Sequence, residues 1–254
     1  MIPDPTSPAS GEAFTRDLPT PAVALAVAAH PDDIEFNAAA TLAKWAADGC
    51  VVHHLVLTDG SKGTWDADED IPALIATRQV EQRAAAAALG ATGEVVMLDS
   101  VDGELESGLA QRERVAYWIR VLRPQVVLGH DPWRRYRLHP DHRHAGWLTV
   151  DAVVAARDPF FFPDQGVAHH RPDTLLLFEA DEPDHVEDAN GFEATKLAAL
   201  LEHRSQFVTT MHIESGDSGE QLQAFRDRVF DRMRTAGARA GLSFGEAFKR
   251  IDAL

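Results

Sequence analysis

The chain has 254 residues, 45% of them hydrophobic, which suits one large α/β domain better than two small ones. Its 24 basic against 40 acidic residues leave a formal charge of −16, which excludes a general attraction to nucleic acid or anionic membranes. A single cysteine, Cys50, rules out an intrachain disulfide and a Cys-rich zinc finger, and no apolar run approaches the ~18 residues that span a bilayer.

Residues 1–20 carry four prolines and three acidic residues but no basic leader, so they read as a loosely docked arm and not a signal peptide. A cytoplasmic protein with its domain over 21–254 is the expectation. Val23 to Ala29 is an uninterrupted apolar run and reads as a buried strand. Phe36, Ala39, Ala40, Ala43 and Ala46 then recur at helical spacing, and Gly49 stands where a helix-ending glycine belongs. Val51 to Leu57 is a second strand. A helix starts at Pro72 and stops at Gly90; Val95 to Leu98 is a third strand and Leu109 to Leu122 a helix. Val126 to Leu128 is a fourth strand, ended by Gly129. A helix follows from about Asp141 to Arg157, then a strand over Thr174 to Phe178. Two more helices are expected over 192–202 and 221–235. This alternation predicts a Rossmann-like α/β fold, a mostly parallel sheet with helices on both faces in a single domain. Cys50, opening an apolar run, is expected to be a buried structural thiol.

Chemistry concentrates in two places. Ala29-His30-Pro31-Asp32-Asp33-Ile34-Glu35 packs a histidine and two carboxylates where the first strand leaves the sheet, which is where open α/β sheets bind ligands. His139-Pro140-Asp141-His142 supplies two histidines three apart, on one face of a helical turn. Together they offer enough nitrogen and oxygen donors for a catalytic metal, with a carboxylate left over as a base. Helix capping would account for Asp32 and Asp33 but not for His30. The His53-His54 and His169-His170 pairs point to opposite faces if extended and make poor chelates. Gly60-Ser61-Lys62-Gly63-Thr64 lacks phosphate-loop spacing and reads as a pocket-lining loop. Arg134, Arg135 and Arg137, beside Trp133, either pair with surface carboxylates or hold an anionic group on the substrate.

These residues resemble the zinc-dependent N-deacetylases of the PIG-L/LmbE type. The first segment is similar to that family's A-H-P-D-D-x-E signature and the second to its H-P-D-H. Thr58 to Gly63, Arg78 to Glu81 with Leu89-Gly90, Lys196 to Leu200 with His203 and Ser205-Gln206, and Gly245 to Phe248 resemble its remaining motifs. The resemblance implies that His30, Asp33 and His142 bind zinc, with ferrous iron as the alternative ion. It implies Asp32 as general base, and His139 as oxyanion stabiliser or proton donor to the leaving amine, oriented and made more basic by Asp141. It further implies that Arg78 touches substrate, and it leaves Tyr136 as the candidate for the tyrosine that members use at the oxyanion. The expected activity is removal of an acyl group, chiefly acetyl, from an amino-sugar conjugate that can be anionic, by a protein that can be a homo-oligomer. A non-haem iron oxygenase and a non-catalytic metal-binding module are the rival readings.

Overall fold

Alternation along one strand sets the layers. Ala24, Ala26 and Ala28 of β2 (Val23–Ala28) join one apolar core, while Leu25, Val27 and the following Ala29 join another. In this computed structural model, which describes residues 14–254, helices α1 (Asp33–Ala47), α2 (Ile71–Ala88) and α5 (Glu193–Leu201) cover the first core. Helices α3 (Leu109–Leu122) and α4 (Pro140–Arg157) cover the second. A third cluster, from Phe225, Val229 and Met233, seats α6 (Glu220–Ala238) against Ala40 and Leu200. The remaining strands are β1 (Thr15–Arg16), β3 (Val51–Thr58), β4 (Val95–Ser100), β5 (Val126–His130), β6 (Thr174–Phe178), β7 (His185–Asp188) and β8 (Gly245–Asp252). All eight described strands form one sheet, in the order β1-β7-β8-β6-β5-β2-β3-β4. Only β8 runs antiparallel to its neighbours. The expected fold class therefore holds: a single, mostly parallel α/β sheet with helices on both faces.

Three strands, β1, β7 and β8, lie where the sequence reading expects none. In β7 and β8 the reason is paired charge: His185 meets Glu187 at 2.8 Å, Glu187 meets Lys44 at 2.7 Å and Glu246 meets Lys196 at 2.6 Å. Buried ion pairs hide the apolar alternation on which strand recognition depends. Gly129 does not end the fourth strand either. β5 runs through it to His130, and the glycine is there because a Cβ would stand 2.8 Å from the Thr149 side chain of α4. Of the expected arm, residues 1–13 lie outside the described residues. Thr15 and Arg16 pair in parallel with β7 and Leu18 is buried, so this part belongs to the sheet and its core. Cys50 is buried as expected, and burial pushes its thiol up to about 11. Among the described residues no helix is long and apolar enough to cross a membrane.

Candidate metal centre and active site

Strands β4, β3, β2, β5 and β6 are parallel neighbours, and chain order reverses between β2 and β5. Such a reversal opens a crevice at the carboxyl ends of the strands. His30 stands just beyond β2, and His130 is the last residue of β5. A cavity of about 620 Å³ opens there, and His30, Asp32, Asp33, His139 and His142 line it.

The turn from β2 into α1 is strained. Asp32 precedes the helix with φ 94°, a conformation uncommon outside glycine, and its side chain makes no capping bond. A buried network holds it there. The Asp32 amide donates to Gln82 Oε1 at 3.0 Å, and Gln82 Nε2 donates to Glu35 Oε1 at 2.8 Å. Glu35 Oε2 in turn lies 3.3 Å from His203 Nε2. The Arg78 guanidinium braces the same turn, donating to the carbonyls of Pro31 at 2.7 Å and Gly60 at 2.9 Å. Gly60 is required for this approach, since a Cβ would stand 2.7 Å from Arg78 Nη1. Arg78 Nη2 also comes within 3.4 Å of Asp32 Oδ2. Arg78 is thus buried behind the carboxylate, although it reaches the cavity wall.

The turn aims His30 and Asp33 at one point, and α4 brings His142 to it. Pro140 opens α4 directly after His139, the position where proline costs a helix nothing. His30 Nδ1 lies 3.1 Å from His142 Nε2 and 3.3 Å from Asp33 Oδ2, and His142 Nε2 lies 3.3 Å from Asp33 Oδ1. Tetrahedral zinc with ligand bonds of about 2.0–2.1 Å would set its ligands about 3.3–3.4 Å apart. The two imidazole nitrogens stand near that spacing from each other, and each from one of the two Asp33 oxygens, so the three side chains could take such an ion between them. Two imidazole nitrogens facing each other at 3.1 Å repel unless a proton or a cation sits between them. Three groupings each bring one donor atom from three residues together: His30 with His139 and His142, Asp33 with His130 and His142, and His30 with Asp102 and Asp141. His130 Nε2 is 3.3 Å from Asp33 Oδ2, and His130 Nδ1 is 3.4 Å from Glu179 Oε2.

The outer atoms of the centre are held by carboxylates and amides. His30 Nε2 faces Asp141 Oδ2 at 3.1 Å and Asp102 Oδ1 at 3.2 Å. Asp141 also accepts the amides of Gly103 at 2.6 Å and Leu105 at 3.3 Å. Its carboxylate is therefore bonded to His30 and the loop after β4, not to His139. His139 stacks on His142, with ring centroids 4.8 Å apart. Burial and the neighbouring His30 hold His139 below the ordinary imidazole range, outweighing the upward pull of Asp141, so the expected rise in its basicity is absent. Burial opposes the charge on His30, yet bonds to Asp102, Asp141 and Asp33 hold it well above its usual value. Burial raises Asp33, but His130 and His30 bring it well below the carboxylate range. Asp32 goes the other way. Burial lifts it to about 6, aided by the Asp33 charge and opposed chiefly by Arg78.

Tyr136 is 93% exposed and takes no part in lining the cavity; its φ of 58° turns the chain so that the ring points outward. The neighbouring arginines are paired: Arg137 with Glu179 at 2.6 Å, Arg134 with Glu179 at 3.1 Å, and Arg135 with Asp181 at 3.5 Å. The sequence reading marks none of His130, Asp102, Glu179 and Gln82. Three of them follow one rule that could have flagged them: a polar residue at or just beyond the end of a parallel strand. Gln82 carries no such signal. His54, rejected as a chelator, is buried with Nδ1 3.2 Å from Gln82 Nε2.

Residues 25–153 match the family described as PIG-L: GlcNAc-PI de-N-acetylase. The chain belongs to this family. Among PIG-L relatives, the diacetylchitobiose deacetylase of Thermococcus kodakarensis is 35% identical over 186 residues, 72% of this chain and 69% of that one. The 1D-myo-inositol 2-acetamido-2-deoxy-alpha-D-glucopyranoside deacetylase of Geodermatophilus obscurus is 35% identical over 169 residues, so the alignment spans only 57% of that relative's length. The solved structure of N,N'-diacetylchitobiose deacetylase from Pyrococcus horikoshii superposes with a TM-score of 0.81 at 27% identity, covering 91% of this chain and 84% of that one. The PIG-L match spans β2 to α4, the segment that carries both metal-site motifs.

The position of Arg78 makes the pH profile a test of its link to Asp32. A carboxylate base works only when ionised, so activity falls as pH drops through its pKa. Replacing Arg78 by methionine removes the cation that favours the ionised form. The acidic limb of kcat/KM is expected to move up by roughly one pH unit, the low end of a guanidinium's effect on a neighbouring carboxylate. Arg78→Lys should recover part of that shift. An ion at the site would lower the limb in all three proteins alike, so the displacement between them is the quantity to measure. An unchanged limb in Arg78→Met would separate Arg78 from the ionisation of Asp32.

Proposed function

We propose that this chain is a zinc-dependent hydrolase that removes an acetyl group from the nitrogen of an amino-sugar glycoside, with ferrous iron as the alternative ion. One observation carries the reading. Asp32, a buried carboxylate lifted toward neutral pH, lies in the wall of the same cavity as His30, Asp33 and His142, whose facing donor atoms stand 3.1–3.3 Å apart. Kinship with deacetylases of diacetylchitobiose and of an inositol glycoside supports the substrate class. The catalytic unit runs over 21–254, with β1 strapping its edge.

His30, Asp33 and His142 would hold the ion, with His130 behind Asp33 as the alternative donor. A zinc ion so held supplies Lewis acidity, lowering the pKa of water toward 7 and polarising the amide carbonyl. Asp32 takes a proton from the attacking water. Gln82 holds its main-chain amide and Arg78 flanks its carboxylate, and its lifted pKa lets it hold that proton near neutrality. His139, which lines the same cavity and is held below the ordinary imidazole range, would relay the proton taken up by Asp32 to the amine nitrogen as the C–N bond breaks. Its imidazole is fixed by stacking on His142. Asp141 orients His30 instead of His139, so it acts through the metal side of the site.

The direct test is release of free amine from N-acetylglucosamine glycosides by the metal-loaded protein. His139→Ala should lower kcat by roughly 10²–10⁴, as loss of a positioned proton donor does, with KM little changed. An effect confined to KM would reduce His139 to substrate binding. No amine from any N-acyl amino sugar, with the metal in place, would overturn the reading.

A further inference from the structure

Beside the metal crevice lies a second cavity, of about 730 Å³, bordered by α6, β8 and the segment after β6. Phe36, Asn37, Glu179, Thr210 and Arg232 line both, so the two spaces adjoin. The carboxylates in its wall are matched: Glu179 by Arg137 at 2.6 Å, Glu246 by Lys196 at 2.6 Å, and Asp231 by Arg234 at 2.5 Å. The arginines on its α6 side are not. Arg232 has neither a hydrogen bond nor an ion pair among the described residues. Arg228 donates to the Met211 carbonyl at 2.6 Å and lies over the Phe225 ring, but meets no carboxylate among the described residues.

Two unpaired guanidiniums four residues apart on one helix face repel each other. They do so in a chain of net charge −16, where carboxylates to pair with are abundant. Packing accounts for Phe225, Val229 and Met233 on the same helix, which reach the core, whereas Arg228 and Arg232 are exposed along the cavity, Arg228 tied only to the Met211 carbonyl and the Phe225 ring. A net negative protein also repels an anionic substrate at long range, so any anion it recognises needs local cations.

We propose that this cavity receives the aglycone of the amino-sugar substrate, and that Arg228 and Arg232 bind an anionic group on it, a phosphate monoester or a carboxylate. Arginine forks suit both groups, and bonds to them are charge-assisted. The inference rests on the amino-sugar reading, which places the N-acyl group at the metal and directs the aglycone outward. It also relocates the anion contact away from Arg134, Arg135 and Arg137, whose charges Glu179 and Asp181 already answer.

The test compares 2-hydroxyethyl, 2-phosphoethyl and 2-carboxyethyl glucosaminides, which lack the acyl group and so are not turned over. Their binding to the metal-loaded full chain is measured by calorimetry, and amine release is assayed separately on the matching N-acetyl compounds. One or both anionic glycosides should bind roughly 10–100-fold tighter than the neutral one, as one or two charge-assisted bonds allow. Comparing the two anionic arms identifies which group the site takes. The Arg228→Gln/Arg232→Gln chain should lose that preference while binding the neutral glycoside as before, and Arg135→Gln should keep it. Added salt should weaken only the anionic arms. Equal binding of all three glycosides by the wild-type chain, or a preference that survives the double replacement, overturns the proposal. Failure of the amino-sugar reading has a different signature: no amine from any N-acetyl compound.

Discussion

Chains carrying His30→Ala, Asp33→Ala or His142→Ala are expected to lose their metal, from about one divalent ion per chain to a small fraction of that, and to lose nearly all activity. On the proposed assignment each substitution removes one of three protein ligands from a site that would leave its fourth position to water. His130→Ala is the informative comparison. If His130 stands behind Asp33, its loss should weaken metal binding by roughly 10–100-fold without abolishing it, the usual effect of removing an outer partner. Metal content after dialysis against a competing chelator separates the two outcomes. A His130→Ala chain as metal-free as Asp33→Ala, beside a His30→Ala chain that keeps its ion, would shift the site to Asp33, His130 and His142. Loss of the ion should also lower thermal stability, because an ion bound only by the folded chain stabilises it by about 4 kcal/mol at a thousandfold excess over Kd.

Replacing Asp32 by asparagine is expected to lower kcat by roughly 10²–10⁴ while the metal stays bound. Asparagine is the right probe for this backbone. Like aspartate it tolerates positive φ, so the strained turn survives, whereas most side chains would oppose it. The Asp32 amide still reaches Gln82, since that bond comes from the main chain. Stability should not fall, because burying an amide costs less than burying an ionised carboxylate. What is lost is the ability to take a proton, so the acidic limb of the pH profile should go with the rate. Metal content, circular dichroism and kcat measured on one preparation decide the matter. Full activity in Asp32→Asn would eliminate Asp32 as the base, and a metal-free preparation would make it a ligand instead.

The sequence by itself determined the alternation of strands and helices from β2 to β6, because each of those strands is a nearly unbroken apolar run and each helix keeps an apolar face. It also marked residues that the fold gathers at the crevice. His30 and Asp33 lie within one turn of chain, and His139 and His142 within one turn of helix, so local spacing governs their geometry. The fold alone decided what happens between segments. His130 enters the centre because β5 lies beside β2 and continues through Gly129, whose missing Cβ makes room for Thr149. Asp141 turns to His30 because the loop after β4 presents two amides that fix its carboxylate away from His139. The arginines before His139 are answered by Glu179 and Asp181, dozens of residues away in the chain, while Arg228 and Arg232 on α6 meet no carboxylate among the described residues. Helix and strand periods are short-range properties that a single segment can display. The pairing of one charge with another depends on which segments the sheet order brings together, and no local pattern encodes that.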